Sequence, residues 1–208
     1  MDVLPEELAS DDLITVKEFY RLVEDGQKAD LIDGVIYFGS PDTRRNDKLA
    51  GFLSFLMRGY VEVKGLGEVF GSRFAFEITE YRAPEPDVAF VRKERLHLLR
   101  ETGMAGGPDI AAEIVSRDSR HRDYFEKKQL YQEAGTSEYW IIDPLQNRVE
   151  FYRLMEGRYE LVPLEQNRIF RSAVMEGSWL DVEWLNSFPL PNAYEKLQEI
   201  LSDHPLSA

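Results

Sequence analysis

Cysteine is absent from the 208 residues. That excludes a disulfide framework, a thiolate nucleophile and a Cys-ligated zinc. Histidine is scarce: His97, His121 and His204 stand far apart and form no HxH or HExxH cluster, which removes most metal-hydrolase chemistries. No stretch approaches the ~20 continuous apolar residues of a membrane span. Met1-Asp2-Val3-Leu4-Pro5-Glu6-Glu7 has neither the basic start nor the apolar run of a secretion signal. The expectation is a soluble cytoplasmic chain with no membrane partner. Positive charge is also short, with 25 Lys+Arg against 38 Asp+Glu and a net charge of −13. A bulk positive field is therefore no means of holding nucleic acid, and any such contact has to be local. What is present is 43% hydrophobic content, enough for a sizeable core in one domain spanning 1–208. The chemistry left to so acidic a chain uses carboxylates, hydroxyls, lysine, or a hard cation held by oxygen.

Thr15 followed by Glu18 reads as a capping box that opens a short helix ending near Gly26, with Phe19, Leu22 and Val23 on one stripe. Ala29 to Phe38 reads as two short strands hinged at Asp33-Gly34, and period-two phase places Asp30 with Ile32, pointing inward. From Arg45 to Val63 the set Leu49, Phe52, Leu53, Leu56 and Tyr60 recurs every three or four residues, the mark of a long helix packed on a sheet. Glycines 65, 67 and 71 break the chain around Glu68-Val69-Phe70, and Arg73 to Ile78 alternates as a strand. Asp87–Val91, Asp109–Ser116 and Glu138–Ile142 are apolar runs suited to strands buried on both faces. A helix from Ser119 to Ala134, stopped at Gly135, separates the last two. Val149–Leu154 and Arg158–Leu164 form a C-terminal hairpin about Glu156-Gly157, and Asn192–Leu201 is a short amphipathic helix. The expected fold class is α/β with a mixed sheet, its core at about 16–154 and an extension at 155–208.

One residue interrupts the pattern. Glu113 lies inside an apolar strand, where a carboxylate is costly unless paired, protonated or bound to a cation. Asp87 begins the preceding buried strand; if the two strands are neighbours, the two carboxylates could hold one Mg²⁺ or Mn²⁺ between them. Helical phase supplies a third member, because Lys127 precedes Leu130, Tyr131 and Ala134 by three, four and seven positions and so faces the sheet, while Lys128 turns toward the flank. A lysine beside two carboxylates orients or deprotonates a water, or neutralises charge on a phosphate, the roles that metal-assisted phosphodiester hydrolysis requires. The same residues allow plainer accounts: Asp87 as a turn cap with Glu113 paired to a structural cation, a snorkelling Lys127, or a buried structural triad of Asp87, Glu113 and Lys127.

These residues resemble a known group. Pro86-Asp87 on one strand and Glu113 on the next are similar to the PD-(D/E)XK nuclease superfamily, which implies a restriction endonuclease-like core with flanking helices. More closely, Asp30-Leu-Ile-Asp-Gly34, Pro86-Asp-Val-Ala-Phe-Val91, Pro108-Asp-Ile-Ala-Ala-Glu-Ile-Val-Ser116, Glu126-Lys127 with Leu130-Tyr131, and Ala134-Gly135 to Pro144 resemble an uncharacterised nuclease-like family abundant in cyanobacteria. The resemblance covers roughly Val16 to Leu154. It implies a metal-dependent endonuclease whose Asp87 and Glu113 hold Mg²⁺ or Mn²⁺, with Lys127 as the catalytic lysine. The superfamily's lysine position, two after Glu113, is Val115 here, so that role moves to Lys127. Asp30 and Asn46 stand where the closer family often carries glutamate and histidine; Asp30 is a supporting acid, and the missing histidine removes a proton-transfer group.

The most basic stretch contains Arg117, Arg120, His121, Arg122, Lys127 and Lys128, and a smaller one Arg44, Arg45 and Lys48. Arg120, Arg122 and Lys128 are candidate phosphate contacts, although Asp118, Asp123 and Glu126 offset much of this charge, as on a solvated face. Gly65-x-Gly67-x-x-x-Gly71 misses the dinucleotide fingerprint by one residue and is set aside. Trp140, Trp179 and Trp184 are read as core or dimer-contact residues. The expected partner is nucleic acid, DNA in the first instance, met by a homodimer. The alternative is a nuclease-fold dimer that no longer cuts and serves as an interaction or DNA-binding module.

Overall fold

The computed structural model describes residues 13–24 and 26–202; the readings of Met1–Glu7 and His204 lie outside them. Helix α1 (Val16–Leu22) is opened by Thr15, whose side chain accepts from the Glu18 amide while Glu18 reaches back to the Thr15 backbone. The two orphan donors at this helix end are thereby satisfied. Strands β1 (Ala29–Ile32) and β2 (Val35–Phe38) form an antiparallel hairpin. Its turn residues Asp33 and Gly34 take φ of 49° and 76°, the left-handed pair that a tight two-residue hairpin demands. Helix α2 (Arg44–Lys64) runs from its Thr43 cap to Gly65, which ends it at φ 65°.

Next comes β3 (Gly67–Gly71), a strand where the glycines signalled a break. Gly67 is required there: a Cβ would stand 2.0 Å from the Val91 carbonyl oxygen, so the residue that looks like punctuation permits close strand pairing. The strand expected over Arg73–Ile78 shrinks to β4 (Phe76–Glu77), which pairs with β6 (Met104–Ala105). Between these lies β5 (Val88–Arg92), followed by a 3₁₀ turn at Lys93–Leu98. Strand β7 (Ile110–Ile114) leads through a π-helical turn at Arg122–Glu126 into α3 (Lys127–Glu133) and then β8 (Glu138–Asp143). Strands β9 (Arg148–Met155) and β10 (Arg158–Leu161) are the expected hairpin. The remainder is β11 (Ile169–Arg171), β12 (Trp179–Asp181), α4 (Val182–Asn186) and α5 (Ala193–Leu201).

Six strands form one mixed sheet in the order β10-β9-β8-β7-β5-β3, with β7 and β8 parallel and the other pairs antiparallel. Strand alternation sorts its two faces. Val88, Phe90, Ile110, Ala112, Trp140, Ile142 and Phe151 pack against Leu49, Phe52, Leu53, Leu56 and Tyr60 of α2. Ala111, Tyr139 and Ile141 pack on the opposite face against Leu130 and Tyr131 of α3 and Ile32 of the hairpin. Glu113 shares the phase of Ala111, so the strand that buries it also aims it at α3. Trp140, Trp179 and Trp184 are all in the core. Among the described residues no helix is long and apolar enough to cross a membrane.

Candidate active site

The β5–β7 register pairs Val88 with Ala112, and one further step sets Asp87 beside Glu113 at the end of both strands. Asp87 Oδ2 accepts from the Ile114 amide at 2.7 Å, and its Oδ1 is engaged by Lys28, just before β1. Glu113, 2% exposed, accepts through Oε1 from Lys127 Nζ at 2.9 Å and from the Tyr131 hydroxyl at 3.2 Å. Lys127 Nζ also lies 2.9 Å from Asp30 Oδ2. Asp30 Oδ1 in turn accepts from the Glu85 amide at 2.8 Å, which ties the hairpin to the approach of β5. Asn46 of α2 donates to the Val115 carbonyl at 3.2 Å and fastens the end of β7.

Asp30, Asp87, Glu113 and Lys127, four residues singled out in the sequence, thus converge on one cavity of about 910 Å³. The other candidates divide. Arg122 lines the cavity, its guanidinium 4.9 Å from the Tyr37 ring centroid and 4.0 Å from Asp30 Oδ2, with Nε buried and without a hydrogen-bond partner. Arg120 instead turns to Asp143 at 3.5 Å, and Lys128 lies over the Tyr152 ring at 3.5 Å; neither lines the cavity. Lys128 has the flank position that helical phase gives it.

Two groups in the cavity escape a reading of the sequence. Lys28 sits in a connection without periodicity and has no signal. Asp123 belongs to a run of alternating charges that resembles a solvated surface, yet it is 1% exposed. The π turn brings it inward between Ser119, whose hydroxyl donates to its Oδ2, and Lys127. Its Oδ1 is buried with no hydrogen-bond partner. Single π turns are frequent at functional sites, but the turn is visible only in the backbone geometry.

Burial would strip Lys127 of its proton, but Asp30 and Glu113 outweigh burial and hold it above the ordinary lysine range. Lys28 is held up likewise by Asp87 against burial. Burial opposes ionisation of Asp30, yet Lys127 and Lys28 win and lower its pKa. At Glu113 burial prevails over Lys127 and the pKa is raised. Lys127 therefore forms its full ion pair with Asp30, and Glu113 is the carboxylate inclined to keep a proton. Asp123 is raised to about 6, by burial first.

A carboxyl whose pKa is raised on folding, as at Asp123, binds its proton more tightly in the native chain. Folding stability then falls as pH climbs from about 3.8 to about 6 and is level above that. Between pH 4.5 and pH 7 Asp123→Asn is expected to remove about 2 kcal/mol of this fall, at 1.36 kcal/mol per pKa unit. Urea unfolding in EDTA at pH 4.5 and pH 7 measures it; an unchanged difference between wild type and variant would show that Asp123 does not carry the load.

The donor set fits a hard divalent cation. Asp87 and Glu113 both face the cavity, Glu113 Oε2 accepts no hydrogen bond among the described residues, and Asp123, whose Oδ1 is buried without a partner, belongs to the same lining. No group of three or more His, Asp or Glu among the described residues is placed to hold a metal ion. Magnesium ordinarily takes one or two carboxylates and keeps several waters, which two carboxylates facing a roomy cavity can supply.

The fold has a solved counterpart. The crystal structure of a protein described as "a putative nuclease belonging to DUF820", from Anabaena variabilis ATCC 29413, superposes with a TM-score of 0.70 at 20% identity, covering 85% of this chain and 99% of the other. No curated protein matches the chain. A family model described as "Uma2: Putative restriction endonuclease" matches residues 16–183. With so much of the chain matched, sheet and cavity included, this protein belongs to the Uma2 family.

Proposed function

We propose that the protein is a metal-dependent endonuclease that hydrolyses phosphodiester bonds of nucleic acid, DNA in the first instance, at the cavity beside Asp87 and Glu113. The observation that carries the reading is the side-by-side placement of these two carboxylates at the ends of adjacent strands, within one cavity that also holds an ammonium and a guanidinium with an unused donor. Asp87 and Glu113 would hold Mg²⁺ or Mn²⁺. When bound, such a cation supplies Lewis-acid stabilisation of the phosphate and lowers the pKa of water. Lys127 holds its proton and touches two carboxylates, so it acts as a fixed positive charge that orients Glu113 and Asp30 rather than as a base. Arg122, with donors to spare, would engage a phosphate oxygen. Family membership supports the class of activity. One site per chain would cut both strands of a duplex most simply as a two-fold dimer.

The test is nicking and linearisation of supercoiled plasmid with Mg²⁺ or Mn²⁺, wild type against Glu113→Gln purified in parallel. Wild type is expected to cut, and both Glu113→Gln and EDTA to reduce cutting to background. Linear product without accumulation of nicked circles would mark the dimer. Equal cutting by both proteins would assign the activity to a contaminant and defeat the reading. A second reading has one observation in its favour: each carboxylate already has an ammonium, Lys28 on Asp87 and Lys127 on Glu113. On that reading the cluster is structural and the chain is a non-cutting binding module.

A further inference from the structure

A second cavity, of about 510 Å³, adjoins the first and shares Gly26, Ser72 and Arg73 with it. We infer that it continues the substrate cleft and holds backbone phosphates of the strand that flanks the scissile bond, an assignment that rests on the nuclease reading above. Two arginines frame it. Arg73 stands at the junction in the left-handed region at φ 72°, a conformation costly for a side chain of its size. Its Nη1 donates to the Gly26 carbonyl at 2.9 Å, which fixes the guanidinium across the passage between the cavities. Arg58 comes from α2; its Nε donates to Ser54 at 3.1 Å. Its Nη2 lies 3.9 Å from where a Cβ on Gly71 would stand, beside the cavity wall.

Neither arginine forms an ion pair among the described residues, in a chain with 38 acidic side chains. Glu68 is the one carboxylate in the lining, outnumbered two to one. Phe70 and Phe74, stacked at 4.1 Å and 17°, form an apolar wall beside the guanidiniums. Electrostatics gives the arrangement its purpose. In the first cavity six carboxyls face five cationic side chains, most of them already paired, and the protein's net charge offers no general attraction. Phosphates on either side of the acids therefore need cations of their own. Arg117 and Arg122 stand on the first cavity, and Arg73 and Arg58 carry the positive charge onward into the second. Guanidiniums match phosphate oxygens in a bidentate fork.

The experiment is binding without turnover, in EDTA and in a Glu113→Gln background, followed by fluorescence anisotropy of labelled single strands of two and of twelve nucleotides. Arg58→Glu with Arg73→Glu is expected to weaken the twelve-mer at least tenfold and leave the dinucleotide unchanged. The slope of log affinity on log salt should become shallower by about 1.4, at roughly 0.7 for each phosphate of a single strand that is no longer neutralised. Arg158→Glu, on β10 away from both cavities, applies a charge reversal elsewhere and should change affinity less than threefold. Should the double variant melt early, Arg58→Gln with Arg73→Gln is read instead, with the same order of effects. An unaltered twelve-mer affinity, or an equal loss in Arg158→Glu, would overturn the assignment. So would a parent that binds no strand, while the plasmid assay decides the nuclease reading by itself.

Discussion

Replacing Lys127 by methionine is expected to destabilise the cation-free protein by about 3–5 kcal/mol, the usual consequence of leaving buried carboxylates without their partner. Lys127 is 2% exposed and 2.9 Å from both Asp30 and Glu113; its methylene stem is replaced well by methionine, so the loss reports charge rather than volume. The rescue pattern is sharper than the loss. Asp30→Asn in the Lys127→Met background should restore more stability than Glu113→Gln, because Asp30 carries its charge and Glu113 tends to keep a proton. Urea unfolding in EDTA at pH 7, for Lys127→Met and its two double variants, measures it. A loss below about 1 kcal/mol, or equal rescue by both partners, would remove Lys127 from the centre of the charge network.

Lys28→Met should act in the opposite sense on the cation. Lys28 occupies Asp87 Oδ1, one of two carboxylate oxygens there, while the Ile114 amide holds the other. A divalent ion at Asp87 has to displace the ammonium, and removing the ammonium removes the competition. Calorimetric titration with Mn²⁺, without nucleic acid, should show at least tenfold tighter binding by Lys28→Met, equivalent to about 1.4 kcal/mol. Glu113→Gln should weaken it. Unchanged or weaker binding by Lys28→Met would mean that ion and lysine do not share Asp87, and would favour the structural reading of the cluster. The tighter result carries a corollary. A substrate phosphate offers Lys28 another partner, so nucleic acid and cation bind cooperatively in the wild type, each raising the affinity for the other.

Much of this arrangement is legible from residue order. Alternation puts Glu113 on the face that α3 covers, and three-and-four spacing puts Lys127 over it. Asp30 follows from the phase of the hairpin. These readings hold because strand and helix periods are rigid and each residue lies inside its element. The illegible parts lie where period gives no guidance. Lys28 precedes β1 in a connection, Asp123 is carried inward by a π turn that breaks the 3.6-residue count, and Gly67 serves the pairing of β3 with β5 while looking like a stop. Arg120 and Arg122 show the same limit: two positions apart in one basic run, one finds Asp143 and the other the cavity.

The hairpin β1–β2 is a separate two-stranded sheet, and the Leu31–Ala83 bridge, the Glu85 amide on Asp30 and the Asp30–Lys127 pair are among the links that join it to the larger body. During synthesis Lys28 and Asp30 leave the ribosome long before Lys127. Until α3 follows, Glu113 has no Lys127 ammonium beside it and Asp30 has no full partner. The acids of the cluster thus come first in the chain, and the charge that Lys127 sets between Asp30 and Glu113 comes only with the helix that closes over them.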